Sequence, residues 1–132
     1  LGDIQPDRMT IQLVSFGYKF GIPLEADLVF DTRFIHNPYY VPELRENSGL
    51  TEPVRAFVLA QPGATDYLDK IVGLLDFGTP GFEPEGKSRL TIAIGCTGGR
   101  HRSVVFAEEL ARRLRERGYE PLEVLHRELE RT

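Results

Sequence analysis

Hydrophobic positions along this 132-residue chain follow two spacings. Alternation marks Thr10 to Phe16 (TIQLVSF) as a first strand, with Ile11 and Leu13 on one face. A second apolar run, Ala26 to Asp31, predicts another strand, closed by Asp31-Thr32-Arg33. Leu90 to Ile94 predicts a third, in which Leu90, Ile92 and Ile94 face one way and the smaller Thr91 and Ala93 the other. Leu122 to Leu125 predicts a short fourth. Helical spacing lies between them. Thr51 is placed to cap a helix that has Pro53 in its first turn and continues through Ala60. Ala64 to Leu75 carries Leu68, Ile71, Val72 and Leu75 on one face. From Ser103 to Arg117, Val104, Ala107, Ala111 and Leu114 form an apolar stripe, and Gly118 is placed to end the helix. On that helix Glu108 with Arg112, and Glu109 with Arg113, are spaced for ion pairs. Residues 76–88 (DFGTPGFEPEGKS) are dense in glycine and proline and predict a long loop.

This order predicts an α/β fold: a mainly parallel sheet of about four strands flanked by helices. Such sheets bind ligands outside the carboxyl ends of their strands. Three polar clusters fall at that edge: Ser15 to Lys19, Asp31 to Arg33, and Cys96 to Ser103. Residues 1–9 are polar with glycine and proline and are expected to be a linker, leaving residues 10–132 as one domain.

Composition narrows the function classes. The hydrophobic share is 41%, the charged share 27% and the formal net charge -4, so the chain as a whole is no electrostatic trap for nucleic acid. Any phosphate or RNA must be met by a local patch. The single cysteine excludes an internal disulfide, and no apolar stretch approaches a membrane span; a cytoplasmic location and no membrane partner are expected. His36, His101 and His126 are scattered without close partner ligands, so no metal site and no cofactor are expected.

The richest chemistry lies in Gly95-Cys96-Thr97-Gly98-Gly99-Arg100-His101-Arg102-Ser103, between the third strand and the long helix. A glycine-rich turn from strand to helix points backbone N–H groups outward at the positive end of a helix dipole, which suits an anion. It is not a Walker A motif, because no Gly-Lys-Ser/Thr closes it; Gly86-Lys87-Ser88 precedes a strand instead of opening a helix. The spacing of Cys96, Gly99, Arg102 and Ser103 also fits the Cys-x-x-Gly-x-x-Arg-Ser pattern of cysteine phosphatases. Two readings therefore stand. In one, Cys96 attacks phosphorus, Arg102 holds the oxygens, Ser103 steadies the departing thiolate and Asp31 is the nominated acid. In the other, the loop only holds a phosphate and Cys96 lines it. Gly95, where phosphatases usually have His, and the lack of an evident acid loop favour holding. The place of His101 between two arginines points to contact with ligand or RNA.

Four segments together resemble the C-terminal domain of the RapZ family (RNase adapter protein, also the YvcJ family of nucleotide-binding proteins). They are Ser15 to Pro23 (SFGYKFGIP), Ala26 to Phe34 (ADLVFDTRF), Asn37-Pro38-Tyr39, and Ala93 to Val104 (AIGCTGGRHRSV). The resemblance runs from about residue 10 nearly to the end. It implies a non-enzymatic, metabolite-sensing and RNA-binding adapter domain, one that senses glucosamine-6-phosphate and links it to small-RNA decay by an RNase E-type nuclease. It also implies an oligomer, and an N-terminal P-loop domain in full-length members to which nucleotide hydrolysis belongs. The implied ligand residues are Cys96, Thr97, Gly98, Gly99, His101, Arg102 and Ser103, with Asp31, Arg33, Asn37 and Tyr39; Lys87 and Ser88 are expected to approach the same pocket, and Asp31 to meet the amine. The family's basic RNA-binding cluster lies near the C-terminus, where this chain (LEVLHRELERT) nearly balances acids with bases. Arg100, Arg112, Arg113 and Arg117 are then the candidates for RNA contact.

Overall fold

The fold comes from a computed structural model that describes residues 9–82 and 87–130. One sheet holds four strands: β1 (Thr10–Gly17), β2 (Leu28–Asp31), β3 (Arg89–Cys96) and β4 (Leu122–His126). Their order is β2-β3-β1-β4 and every pairing is parallel. Three helices, α1 (Glu52–Leu59), α2 (Ala64–Phe82) and α3 (Arg102–Glu116), complete the α/β architecture that the hydrophobic spacing predicts. Leu13 pairs with Ile92, Ser15 with Ile94 and Gly17 with Cys96, so those residues share the β1 and β3 face toward the helices. There Ile11, Leu13, Leu90, Ile92 and Ile94 pack with Val105, Phe106, Leu110 and Leu114 of α3 and with the buried faces of α1 and α2. Fully burying one such side chain contributes about 1.5–3 kcal/mol.

A different set of residues lines the other face. Val14, Phe16 and Ala93 are buried there. The Tyr18 ring stands edge-on to Phe16 at 4.8 Å and the Arg127 guanidinium sits 5.7 Å from the Phe16 centroid. The segment between β1 and β2 must return to the amino edge of the sheet, since both strands run the same way. It is pinned along its course by Lys19 N–H to the Thr97 carbonyl (3.3 Å) and by Asp27 N–H to the Thr91 carbonyl (2.8 Å).

Four sequence expectations change. Residues 76–82 are helical: α2 runs through Pro80 to Phe82, and residues 83–86 of the expected loop lie outside the described residues. Proline lacks the N–H that would bond one turn back, but the turn below it is anchored. Asp76 accepts from the Tyr119 hydroxyl (2.6 Å) and pairs with Arg117, and Thr79 is buried. Thr51 holds the N-cap position of α1, yet its hydroxyl donates to the Ser48 carbonyl (2.9 Å) instead of capping the helix. Glu109 and Arg113 pair as spaced (3.2 Å), whereas Glu108 turns to His126 (2.6 Å) and Arg112 to Glu109 and Glu116. β4 brings the His126 ring against Glu108, which removes Glu108 from Arg112. Met9, assigned to the linker, is 3% exposed and packs in the core; residues 1–8 lie outside the described residues. No helix among the described residues is long and apolar enough to cross a membrane.

Candidate functional site

A cleft of about 410 Å³ opens at the carboxyl edge of the sheet, within the range of small-molecule sites. Segments after all four strands build it. Lys19 and Phe20 follow β1; Asn37, Tyr39 and Tyr40 follow β2; Cys96 to Gly98 and Arg100 to Arg102 follow β3; Glu128 follows β4. Its floor is the N-terminus of α3, a helix of 15 residues, whose positive end favours anions.

The loop from Cys96 to His101 is shaped by close backbone approach. Gly99 has φ 79°, and a Cβ on it would lie 2.4 Å from Glu128 Cγ and 2.5 Å from the Gly17 nitrogen. A Cβ on Gly17 would lie 2.5 Å from the Gly98 carbonyl carbon. Gly95 is closed in by the Phe16 and Tyr18 rings, 2.4 and 2.7 Å from where its Cβ would stand. The histidine that phosphatases carry before the cysteine therefore has no room here.

Arg102 is the central cation, and only 4% of it is exposed. Its Nη1 donates to the carbonyls of Arg33 (3.0 Å) and Ile35 (2.8 Å), and its Nη2 to the Thr97 hydroxyl (3.3 Å). Its Nε is also buried and has no partner among the described residues. A planar guanidinium offers five N–H donors, so this one arrives at the cleft wall with donors unmet.

The neighbouring groups take different parts. The Cys96 thiol is buried and donates to the Ser103 hydroxyl (3.2 Å), which itself is buried beneath the loop. His101 caps α3 in position, and its Nε2 meets the Arg45 carbonyl (3.1 Å). Burial pushes its pKa down, an effect that its backbone hydrogen bonds with Asn47 and Arg45 only partly offset. Gly49 N–H to the Arg100 carbonyl (2.8 Å) adds a second tie. Together they clamp residues 45–49 onto the loop. Arg45 in turn donates to the Tyr39 carbonyl (2.8 Å) and lies 4.8 Å from that ring. Asn37 accepts from Tyr39 N–H (3.0 Å) and so shapes the turn that carries Tyr39 and Tyr40.

Of the residues expected at the site, Asn37, Tyr39, Cys96, Thr97, Gly98, His101 and Arg102 line the cleft; Gly99 and Ser103 support it from below. Asp31 and Arg33 pair with each other beside it (2.7 Å), with Arg33 stacked 3.7 Å over Tyr18. The Arg33 hydrogen bonds hold the Asp31 carboxyl below its usual range. Lys87 and Ser88 do not approach. Lys87 pairs with Asp27 (2.8 Å), and the Ser88 carbonyl accepts from Thr10 N–H at the amino edge. The eight-residue β3 separates them from the cleft by about 25 Å. Of the four arginines assigned to RNA, Arg100 lines the cleft, while Arg112, Arg113 and Arg117 are paired with Glu109 and Glu116, with Asp69 and Glu109, and with Asp76. Lys19, Phe20, Tyr40 and Glu128 were not anticipated. Lys19 closed a flagged polar cluster and Phe20 follows it directly; Glu128 left no signal.

Ser15, His126 and Glu108 have the residue types of a hydrolytic triad, with Ser15 Oγ 2.7 Å from His126 Nδ1 and Glu108 2.6 Å from Nε2. Ser15 is fully buried, so no substrate reaches its hydroxyl. The array joins β1, β4 and α3.

The profile of the RapZ C-terminal domain matches residues 9–130. A curated "Nucleotide-binding protein" of Geobacter metallireducens is 54% identical over 130 residues, 98% of this chain and 45% of that protein. One of Geotalea daltonii is 56% identical over 124 residues, 94% of this chain and 43% of that protein. One of Thermobifida fusca is 50% identical over 130 residues, 98% and 44% respectively. The chain thus spans less than half the length of these relatives.

Proposed function

The chain belongs to the family of RapZ C-terminal domains, and on that footing we propose that its cleft is a sensor site holding a small phosphomonoester, an amino-sugar phosphate of the glucosamine-6-phosphate kind. One observation carries this reading: buried Arg102 lies at the N-terminus of α3, inside the cleft, with an unpartnered Nε. Helix dipole, loop amides and guanidinium all favour the same charge. Cys96 serves as wall, because Asp31, the nominated acid, is a carboxylate bound to Arg33 outside the lining. A general acid must hold a proton at working pH, and Arg33 opposes that. The domain is therefore proposed to bind and not to turn over its ligand.

Regulation of small-RNA decay, contact with an RNase and self-association are proposed on the family resemblance. For RNA, Lys19 and Arg100 at the cleft are the cations we assign, since Arg112, Arg113 and Arg117 are engaged in ion pairs. Nucleotide hydrolysis is not proposed: the relatives' name belongs to proteins more than twice this length, and this chain carries no Walker A motif.

Calorimetry with glucosamine-6-phosphate tests the reading. Wild type is expected to bind. Arg102→Lys, which keeps the charge and loses the planar fork, is expected to bind at least about tenfold more weakly. No heat from wild type at low salt removes the ligand claim.

A further inference from the structure

Resting on the phosphate grip proposed above, we infer that the cleft also takes a second class of ligand, a nucleoside monophosphate, whose base stacks on the aromatic rings at the cleft mouth. The cleft changes character from floor to mouth. At the floor Cys96, His101 and Arg102 are each more than nine-tenths buried. At the mouth Tyr40 is 70% exposed, Tyr39 51% and Phe20 41%, although all three line the cleft. One exposed ring on a surface is ordinary; rings gathered around a single cleft mark a binding surface. Topology sets them on both sides of the phosphate loop. Phe20 follows β1 and the two tyrosines follow β2, while the loop follows β3, which lies between those strands in the sheet.

The tyrosine rings are placed from outside the hydrophobic core. They meet edge to face at 5.8 Å, and the Arg45 guanidinium sits 4.8 Å from the Tyr39 centroid. Asn37 and Arg45 also hold the Tyr39 backbone. The platform is thus set before a ligand arrives, which lowers the ordering cost of binding. A phosphate is satisfied at the floor and has no use for rings at the mouth. A heteroaromatic base does: it stacks on aromatic faces whatever its edge pattern. The ribose of a nucleoside monophosphate holds base and phosphate apart, as the cleft holds its exposed rings apart from its buried cation. An aryl phosphate, with its ring joined directly to the phosphate oxygen, would carry that ring to the floor instead.

Calorimetry with adenosine monophosphate, ribose-5-phosphate, phenyl phosphate and glucosamine-6-phosphate tests the inference, on wild type, Tyr40→Ala, Tyr40→Phe and Arg102→Lys. Wild type is expected to bind the nucleotide at least about fivefold more tightly than ribose-5-phosphate, the lower end of what one stacked base supplies. Tyr40→Ala is expected to lose that preference with ribose-5-phosphate unchanged, and Tyr40→Phe, which keeps the ring, to retain it. Arg102→Lys is expected to weaken both esters. Equal affinity of wild type for nucleotide and ribose-5-phosphate overturns the inference while leaving the phosphate grip standing. Phenyl phosphate bound as tightly as the nucleotide also overturns it. So does a Tyr40→Ala variant that weakens glucosamine-6-phosphate as much as the nucleotide, since the rings would then serve the sugar. Nucleotide binding indifferent to Arg102→Lys would place the nucleotide elsewhere and overturns it too. If no probe binds wild type, the phosphate reading itself fails and the inference with it.

Discussion

Gly99 and Gly17 lie so close that a Cβ on Gly99 would stand 2.5 Å from the Gly17 nitrogen. That approach joins the anion loop to the end of β1, and Gly99 also needs its φ of 79°. Gly99→Ala should therefore cost about 2–4 kcal/mol of stability, from overpacking together with left-handed backbone strain. Urea unfolding measures it. An unchanged midpoint would mean the loop has slack that the geometry denies.

Arg102 couples site and fold through the Arg33 and Ile35 carbonyls. Arg102→Ala would leave the buried Ile35 carbonyl and the part-buried Arg33 carbonyl without their donor and should destabilise by about 2–4 kcal/mol. Thr97→Val removes a hydroxyl that meets Arg102 at an exposed position, so it should leave the unfolding midpoint nearly unchanged while weakening ligand. Equal effects of the two variants on stability would contradict this division.

Glu109 is 5% exposed and accepts from Arg112, Arg55 and Arg113. The Arg112 hydrogen bond leads in pulling its pKa from 4.5 down to about 2. A depressed carboxyl pKa contributes stability that is present above the unfolded value and lost as pH falls through the folded one. Glu109→Gln should therefore cost up to about 3 kcal/mol at neutral pH. The gap to wild type should shrink between pH 4.5 and about 2. A gap independent of pH would assign the effect to packing.

Cys96→Ser separates holder from catalyst. With the nominated acid, Asp31, bound to Arg33 outside the lining, wild type should release no phosphate from sugar phosphates or aryl phosphates. The variant should bind ligand much as wild type does. Turnover by wild type that disappears in Cys96→Ser would restore the nucleophile.

The parts of the fold that were legible in the sequence are those written in local periodicity. Ile11 and Leu13, Leu90 to Ile94, and the Val104-Ala107-Ala111-Leu114 stripe fall where their spacing puts them. Pro80 misled, because a local rule against proline gives way when Asp76 and Thr79 are held from outside the helix. The loop after β3 was legible because its chemistry is contiguous. Glu128 was not, because its meaning depends on Gly17, 111 residues away. Lys87 and Ser88 precede β3 and so stand at its amino end, opposite the carboxyl edge where such sheets bind ligands.

The central claim, that the carboxyl-edge cleft grips a phosphate at the α3 N-terminus, is tested most directly by a crystal structure of this chain grown with glucosamine-6-phosphate. The phosphate is expected within hydrogen-bond distance of the backbone N–H groups between Gly98 and Arg102, with the Arg102 guanidinium on its oxygens. An empty cleft at saturating ligand, or a phosphate seated elsewhere such as beside Lys87 and Arg89, would contradict it.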